Sequence, residues 1–369
     1  MTFSVFRAAF GPSWAGRPAA LLLAAALSGG LLACGGKDKP ADPTPQPPVP
    51  ETPELPGFAQ TGFSTQNGGT TGGQAGTTVT ATTLAELQSY AGSATPYIIR
   101  IDRTISGGTA GASVNVNSHK TLLGVGSAGF LEGVGLNING KRNIIVRNLK
   151  MTMSTVTNTY INDEGRPQVA VNDGDCVTIQ GSSENIWVDH CEFYNRDPAT
   201  QTNQDLYDGL VDAKGNSQFI TVSWCYFHDH HKCHLIGSSD TDVFDRKMTF
   251  HHNYYRNIKE RLPSYRGGTA HVFNNYYQHV TSSAVNSRMG ACIVVEKNAF
   301  EDVRDPVVSK NSAVAGNWSA SANQYVSCTG SQPTNATCTL TLSYPYASVL
   351  TGETQVKTEV MAKAGVGKL

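Results

Sequence analysis

One short pattern returns along this chain and limits what it can fold into. The segments NIIVRNLKM from Asn143, NIWVDHCEF from Asn185, FITVSWCYF from Phe219, KMTFHHNYY from Lys247, TAHVFNNYY from Thr269 and CIVVEKNAF from Cys292 share it. Aligned on one another, they place Leu149, Cys191, Cys225, Asn253, Asn275 and Asn298 in one column, and the steps between them shrink from 42 through 34 and 28 to 22 and 23 residues. A coil of about 22 residues, with loops inserted into the earlier turns, accounts for the shrinkage, and a repeat of that length marks a solenoid. Because the repeats alternate with period 2 and are rich in β-branched and aromatic residues, the expected fold is all-β, a parallel β-helix.

Stacking follows from that reading. Equivalent residues of successive coils lie ~4.8 Å apart, so Asn253, Asn275 and Asn298 would form an internal amide ladder that satisfies its own buried donors and acceptors. Phe193, Phe227, Tyr255, Tyr277 and Phe300 would stack beside it. A solenoid needs covers at its ends. Thr83-Leu84-Ala85-Glu86 has the form of a capping box opening a short helix with Leu84, Leu87 and Tyr90 on one face, and the tail after Thr351 is the other candidate.

The beginning of the chain reads differently. Arg7 and Arg17 precede an apolar run from Pro18 to Leu32, an export signal covering residues 1–33, too short at about 15 residues to read as a membrane span. Leu31-Leu32-Ala33-Cys34 resembles the bacterial lipoprotein box, which makes Cys34 the expected lipidation site. Residues 34–56 form a proline-rich tether, and residues 57–369 the folded domain. The chain is then expected at the bacterial cell envelope, on the outer membrane or cell surface, or secreted. Gly35 and Gly36 lack the aspartate associated with retention at the inner membrane. With 28 basic and 29 acidic residues there is no global field for nucleic acid or a membrane surface, so a polyanion would have to meet a local cluster. A monomer touching a membrane only through its lipid is expected. Of the seven remaining cysteines, Cys328 and Cys338 share a polar loop and could close a short disulfide. Cys176, Cys191, Cys225, Cys233 and Cys292 lie in apolar runs and read as buried free thiols.

Chemistry concentrates in two groups. Asp173 and Asp175 flank Gly174, and in a strand residues i and i+2 point the same way. Asp208 and Asp212 open the run that should lie one coil later. Each pair alone reads more simply as turn aspartates, but four acids brought together require a hard cation, and oxygen ligands suit calcium. Lys232, Arg261 and Arg266 are scattered in sequence, yet the coil pitch would gather them on one face, a cationic trio fit for an anionic sugar polymer. The cluster His228, His230, His231 and His234 suggests zinc, but its spacing is not that of a helical zinc motif.

The ordered segments KTLLGVGS, NIIVRNL, NDGDCVTI, NIWVDHCEF, DGLVDAKGNSQFITVSWCYFHDHHK and RLPSYRGGTAHVFNNYY resemble the pectate lyases of polysaccharide lyase family one, from about Gly57 to at least Phe300. The resemblance implies a right-handed parallel β-helix and a calcium-dependent lyase that cleaves α-1,4-linked polygalacturonate by β-elimination to unsaturated oligogalacturonates. By position in the family pattern it implies calcium ligands at Asp173, Asp175, Asp208 and Asp212, a catalytic base at Arg261, and substrate-binding or transition-state-stabilising cations at Lys232 and Arg266. A guanidinium is an unusual base, ordinarily always protonated, so a local cationic field must assist it. The resemblance also makes Asp189-His190 and the histidine run structural. His231 stands where the family often has aspartate. Two other readings compete: a pectin lyase acting on methylated pectin without calcium, and a non-catalytic surface β-helix that only binds acidic glycans.

Overall fold

A computed structural model of the chain describes residues 59–369; the export signal, Cys34 and the proline-rich tether lie outside the described residues. The chain winds through three long parallel sheets of ten, nine and eight strands, and a two-stranded antiparallel hairpin stands apart from them. One coil shows the plan. Arg142–Arg147 joins the first sheet, Lys150–Thr152 the second and Val177–Gln180 the third, before Glu184–Asp189 returns to the first one step further on. The result is a right-handed parallel β-helix, the hand that parallel crossovers take.

The repeated column lies at the corner between the first and second sheets, and the corner explains its chemistry. The residue just before each column member has a left-handed backbone: Asn148, His190, Trp224, His252, Asn274 and Lys297 all have φ between 49° and 56°. That conformation costs a non-glycine residue roughly 1–2 kcal/mol, and it turns the next N–H into the core. Each such N–H is met by a side chain from the following coil. Leu149 N donates to Cys191 Sγ (3.5 Å), Cys191 N to Cys225 Sγ (3.4 Å), and Cys225 N to Asn253 Oδ1 (3.0 Å). Asn275 and Asn298 continue the series, each receiving both the backbone and the side-chain amide protons of the asparagine one coil before it. Asn323 ends it by accepting from Asn298, a member that the repeat alignment does not reach. Beside the ladder, the rings from Phe193 to Phe300 and on to Tyr325 stack at 4.5 to 5.4 Å.

Helix Leu84–Gly92 begins with the expected capping box, Thr83 accepting from Glu86 N while the Glu86 carboxylate takes Thr83 N, and it buries Leu87 and Ala91 against the first coils. The tail behaves otherwise. Its helix Val356–Lys363 packs on the flank, Val356 and Val360 against Tyr276 and Ala299, and the chain then runs back toward the N-terminal coils, with Gly365 N bonded to Trp224 O and Gly367 N to Asn148 Oδ1. Residues before the first strand lie across the outer face of the first sheet, where Phe63 N and Ser64 N donate to Thr249 and Thr221 Oγ1. Gly73 is needed in that strap because a Cβ there would come within 1.8 Å of Tyr97 O.

The cysteine expectation is corrected. Cys338 pairs with Cys292, not with Cys328, at a Cα separation of 6.1 Å. Thr337 N and Cys338 N both donate to Trp318 O, so this segment runs along strand Asn317–Ser321. Asn317 is the register partner of Cys292, which brings Cys338 to the Cys292 thiol. Cys328 instead hydrogen-bonds the Phe300 and Val326 carbonyls, facing the stacked coil below. Cys176, Cys191, Cys225 and Cys233 are buried free thiols.

Candidate active site

Long loops leave the second sheet and re-enter the third, and they bring the carboxylates together. In strand Val211–Ala213 the flanking residues point inward, which turns Asp212 outward, yet loops cover it completely. Thr178 is its register partner one coil earlier and donates to Asp175 Oδ2 (2.8 Å). Asp175 Oδ1 accepts from Gly209 N (2.6 Å), and Asp212 Oδ1 from Leu235 N (2.9 Å). Gly209 permits this closeness, since a Cβ there would sit 2.0 Å from Asp212 Oδ1. One oxygen from each of Asp175, Asp208 and Asp212 lies within 4.8 Å of the others.

The electrostatics of the triad are uneven. Burial, then the neighbouring carboxylates, push Asp175 and Asp212 above the usual carboxylate range. Asp208 is half-buried, and Lys232, Arg261 and Lys214 outweigh the cost of that burial and hold it at about 2. Asp212 Oδ2 is buried without a hydrogen-bond partner. Three converging carboxylates with an orphaned oxygen fit a hard divalent cation with oxygen preference.

Asp173 does not join them. It is exposed, in a turn with φ 52° and not in a strand, so the i, i+2 rule that paired it with Asp175 does not apply. Its carboxylate receives the Tyr160 hydroxyl from the hairpin formed by Thr159–Ile161 and Pro167–Val169.

Of the three expected cations, two converge on Asp208. Lys232 Nζ lies 3.1 Å and Arg261 Nη1 3.4 Å from the same Asp208 Oδ1. Asp205, bonded to Arg166 on its far side, holds Lys232 from a second direction at 3.2 Å. Arg261 has φ 67°, a left-handed backbone in a non-glycine residue, and its carbonyl accepts from His234 N. Arg266 stands in strand Ser264–Arg266, away from the triad, fixed by Asp240 Oδ1 (2.8 Å) and Gly237 O (2.7 Å). Arg288, its register partner on the next coil, shares Asp240 and lines with Arg261 a pocket of about 170 Å³.

Lys214 escaped the sequence reading. Its Nζ sits 3.3 Å from Asp175 Oδ2 and 3.9 Å from both Asp208 and Asp212 Oδ2, so the triad carries an internal counter-charge. The alternation of a strand would have found it, because Lys214 follows Asp212 by two positions. The histidines disperse: His228 pairs with Asp229 and Glu192, His230 with Asp208 O, His231 with Gln201 O, and His234 with Val211 O and Tyr255. Asp189 is fully buried and accepts from Arg147, Ser223 and His190. Burial opposes its ionisation, but those donors hold it below the usual range.

A right-handed parallel β-helix carrying a carboxylate triad edged by lysine and arginine is the framework of a polysaccharide lyase for acidic glycans. Comparison with known proteins narrows the class: residues 50–369 match the profile of the pectate lyases, and the chain belongs to that family. It is 41% identical over 319 residues to a pectate trisaccharide-lyase of Bacillus licheniformis, covering 85% of this chain and 87% of that protein. A probable pectate lyase B of Aspergillus terreus is 40% identical over 252 residues, 67% of this chain and 70% of that protein. Among solved structures, the pectate lyase Bsp165PelA of Bacillus sp. N165, in complex with trigalacturonate, superimposes with a TM-score of 0.73 at 32% identity, covering 84% of this chain and 99% of that one. Pectate lyase C of Erwinia chrysanthemi, crystallised with Ca2+, gives 0.66 at 26% identity over 81% of this chain and 95% of that one.

Proposed function

We propose that this chain is a calcium-dependent pectate lyase acting on de-esterified polygalacturonate, with its working residues at the junction of the triad and the cationic row. The observation that carries the reading is the position of Asp208, whose carboxylate faces Asp175 and Asp212 on one side and Lys232 and Arg261 on the other. Asp175, Asp208 and Asp212 would hold the ion. When bound, such an ion would supply Lewis-acid polarisation of a uronate carboxylate and so help acidify the adjacent C5–H.

Lys232 and Arg266 supply positive charge for substrate carboxylates, the first held by Asp208 and Asp205 and the second by Asp240 and Gly237. Arg261, in its neutral guanidine form, takes the C5 proton and becomes guanidinium; the C5–H electron pair becomes the C4–C5 double bond, and the C4–O4 pair leaves with the glycosidic oxygen. That oxygen takes up a proton to become the new hydroxyl, so the enzyme returns to its starting charge once Arg261 releases its proton. No water is consumed. The same cations stabilise the negative charge that develops on the uronate as the proton leaves. Asp173 enters this reading only as a partner of the hairpin. Asp189, His190, Asn253, Asn275 and Asn298 are assigned to the scaffold.

Residues 1–33 are assigned as an export signal and Cys34 as a lipid anchor, placing the enzyme at the cell envelope. No helix among the described residues is long and apolar enough to cross a membrane. The test of function is direct. Polygalacturonate incubated with the protein should give rising near-ultraviolet absorbance from the unsaturated product, and a chelator should stop it until calcium is restored. Product formation that ignores the chelator, or is faster on highly methylated pectin, would replace the reading with that of a pectin lyase.

A further inference from the structure

The third sheet does not end at the triad. Three coil steps before Asp212, strands Ala112–Asn115, Val134–Asn139 and Val177–Gln180 carry the same face toward the N-terminal end. Val114, Leu136, Ile138, Val177 and Ile179 point into the core, so the alternate residues point outward. Register makes Asn115, Asn137, Thr178 and Asp212 one continuous outward column. Asn139 and Gln180 form a second, and Lys214 follows Gln180 in it one position beyond the last paired residues.

These outward side chains are organised. Gln180 Nε2 donates to Asn137 Oδ1 (3.0 Å) and Asn137 Nδ2 to Asn115 Oδ1 (2.9 Å), an amide row on the outside of the helix. Each amide has four hydrogen-bonding positions and the row uses only one or two of them. Asn115 and Asn137 line a pocket of about 240 Å³ together with Gly92, Val116, Asn117, Asn139 and Lys141, the C-terminal end of helix Leu84–Gly92 forming one wall. Lys141 is the single charged residue of that lining.

We propose that this amide row and its pocket are a distal binding site for the same polymer that enters the catalytic groove, recognising sugar hydroxyls and carbonyls irrespective of methyl esterification. The inference rests on the lyase reading. Continuity is its first support: the columns that hold Asp212 and Lys214 are the columns that hold Asn115, Asn137, Asn139 and Gln180. Reach is the second, since three coil steps span ~14 Å, room for about three sugar residues laid along the sheet. Chemistry is the third. At the triad the lysine and arginine, and the ion the acids would hold, select a uronate carboxylate, whereas neutral amides donate to hydroxyls and ester carbonyls and accept from hydroxyls.

The test is a length series of oligogalacturonates, from tetramer to decamer, with the full protein and two variants. Asn137→Ala breaks the amide row, and Asn139→Trp fills the pocket while leaving the row intact, so the second serves if the first folds poorly. For the parent, kcat/KM should rise with length by about fivefold, the net worth of one or two hydrogen bonds. In either folded variant it should stay level, and the loss should be equal on partially esterified and de-esterified chains. A length dependence unchanged in Asn139→Trp would overturn the proposal. A loss confined to de-esterified chains would overturn its tolerance of esters and assign recognition to Lys141. A parent with no elimination activity at any length would reject the lyase reading itself.

Discussion

Asp208 is the residue on which the site's two halves depend. It is the only member of the triad whose carboxylate is strongly favoured as an anion, because Lys232, Arg261 and Lys214 overcome the cost of burying it. Arg261, in turn, occupies a backbone conformation that an arginine adopts only at a cost. Replacing it with alanine keeps that backbone cost and removes only the guanidinium. Elimination in Arg261→Ala should therefore fall by at least ~100-fold, with the urea midpoint of the chelated protein near that of the parent because Lys232 and Lys214 still neutralise Asp208. Retained turnover would reject Arg261 as the base. The two halves differed in how readable they were. Lys232, Arg261, Arg266, Asp208 and Asp212 sit in motifs whose order survives in sequence. Asp173 stands apart from the triad because the alternation that paired it with Asp175 does not hold in what is a left-handed turn. Lys214 was passed over because a lysine just after Asp212, before a glycine, looks like a solvated turn residue until the strand is known to carry it on the same outward face as Asp212.

At the scale of the coil, the repeated column and the left-handed corner form one device. Period and shrinking step revealed the solenoid, and the stacked asparagines could be read from alignment alone. The corner could not: His190, Trp224, His252 and Lys297 have positive φ with no glycine to announce it, and only the stacking of neighbouring coils imposes that conformation. Asn275 shows what the ladder contributes, since it accepts from Asn253 N and Nδ2 and donates to Phe250 O and Phe273 O. Leucine there would leave Asn253 N without an acceptor and take one partner each from Asn253 Nδ2, Phe250 O and Phe273 O in a dry interior. A loss of about 3–5 kcal/mol in unfolding free energy is expected, read as a lower urea midpoint with unchanged secondary structure; a loss below ~1 kcal/mol would mean that the corner turns without the ladder. The disulfide belongs to this scale too. It joins residues 46 apart, and the chain-entropy relation gives an upper figure of about 4 kcal/mol for its removal in Cys292→Ser. Cys328→Ser should stay within ~0.5 kcal/mol, reversing the order expected had Cys328 been the partner of Cys338.

For the folded part as a whole, the outer face of the first sheet is where the described residues before the first strand and the C-terminal segment are both fastened. The N-terminal strap meets Thr249 through Phe63, and the C-terminal segment meets the same threonine through Tyr344, whose ring lies edge-on to Phe63 at 5.0 Å. Histidines supply much of the tail's hold: His271 Nδ1 contacts Tyr344 Oη (2.8 Å), and His252 Nε2 contacts Thr351 Oγ1 (3.1 Å). Burial lowers the pKa of His271 and, with Lys363 and His190 nearby, pushes His252 down to about 3. The unfolded chain titrates its histidines near 6.5. Between that value and the folded one the unfolded state binds more protons, so the stability these rings lend is present above pH ~6.5 and is lost as pH falls toward 3, at up to about 1.4 kcal/mol per pH unit for each group. Urea midpoints measured at successive pH values below 6.5 should fall steadily. In His252→Gln, which keeps a polar group for Thr351 but cannot charge, the decline should be shallower by about one group's slope. The tail should also loosen on acidification because His252 and His271 help fasten it; amide exchange of residues 351–367 should accelerate as pH falls through this range. A stability that stays flat down to pH 4.5, or a glutamine variant with the parent's slope, would mean that these buried rings do not govern how the solenoid keeps its ends.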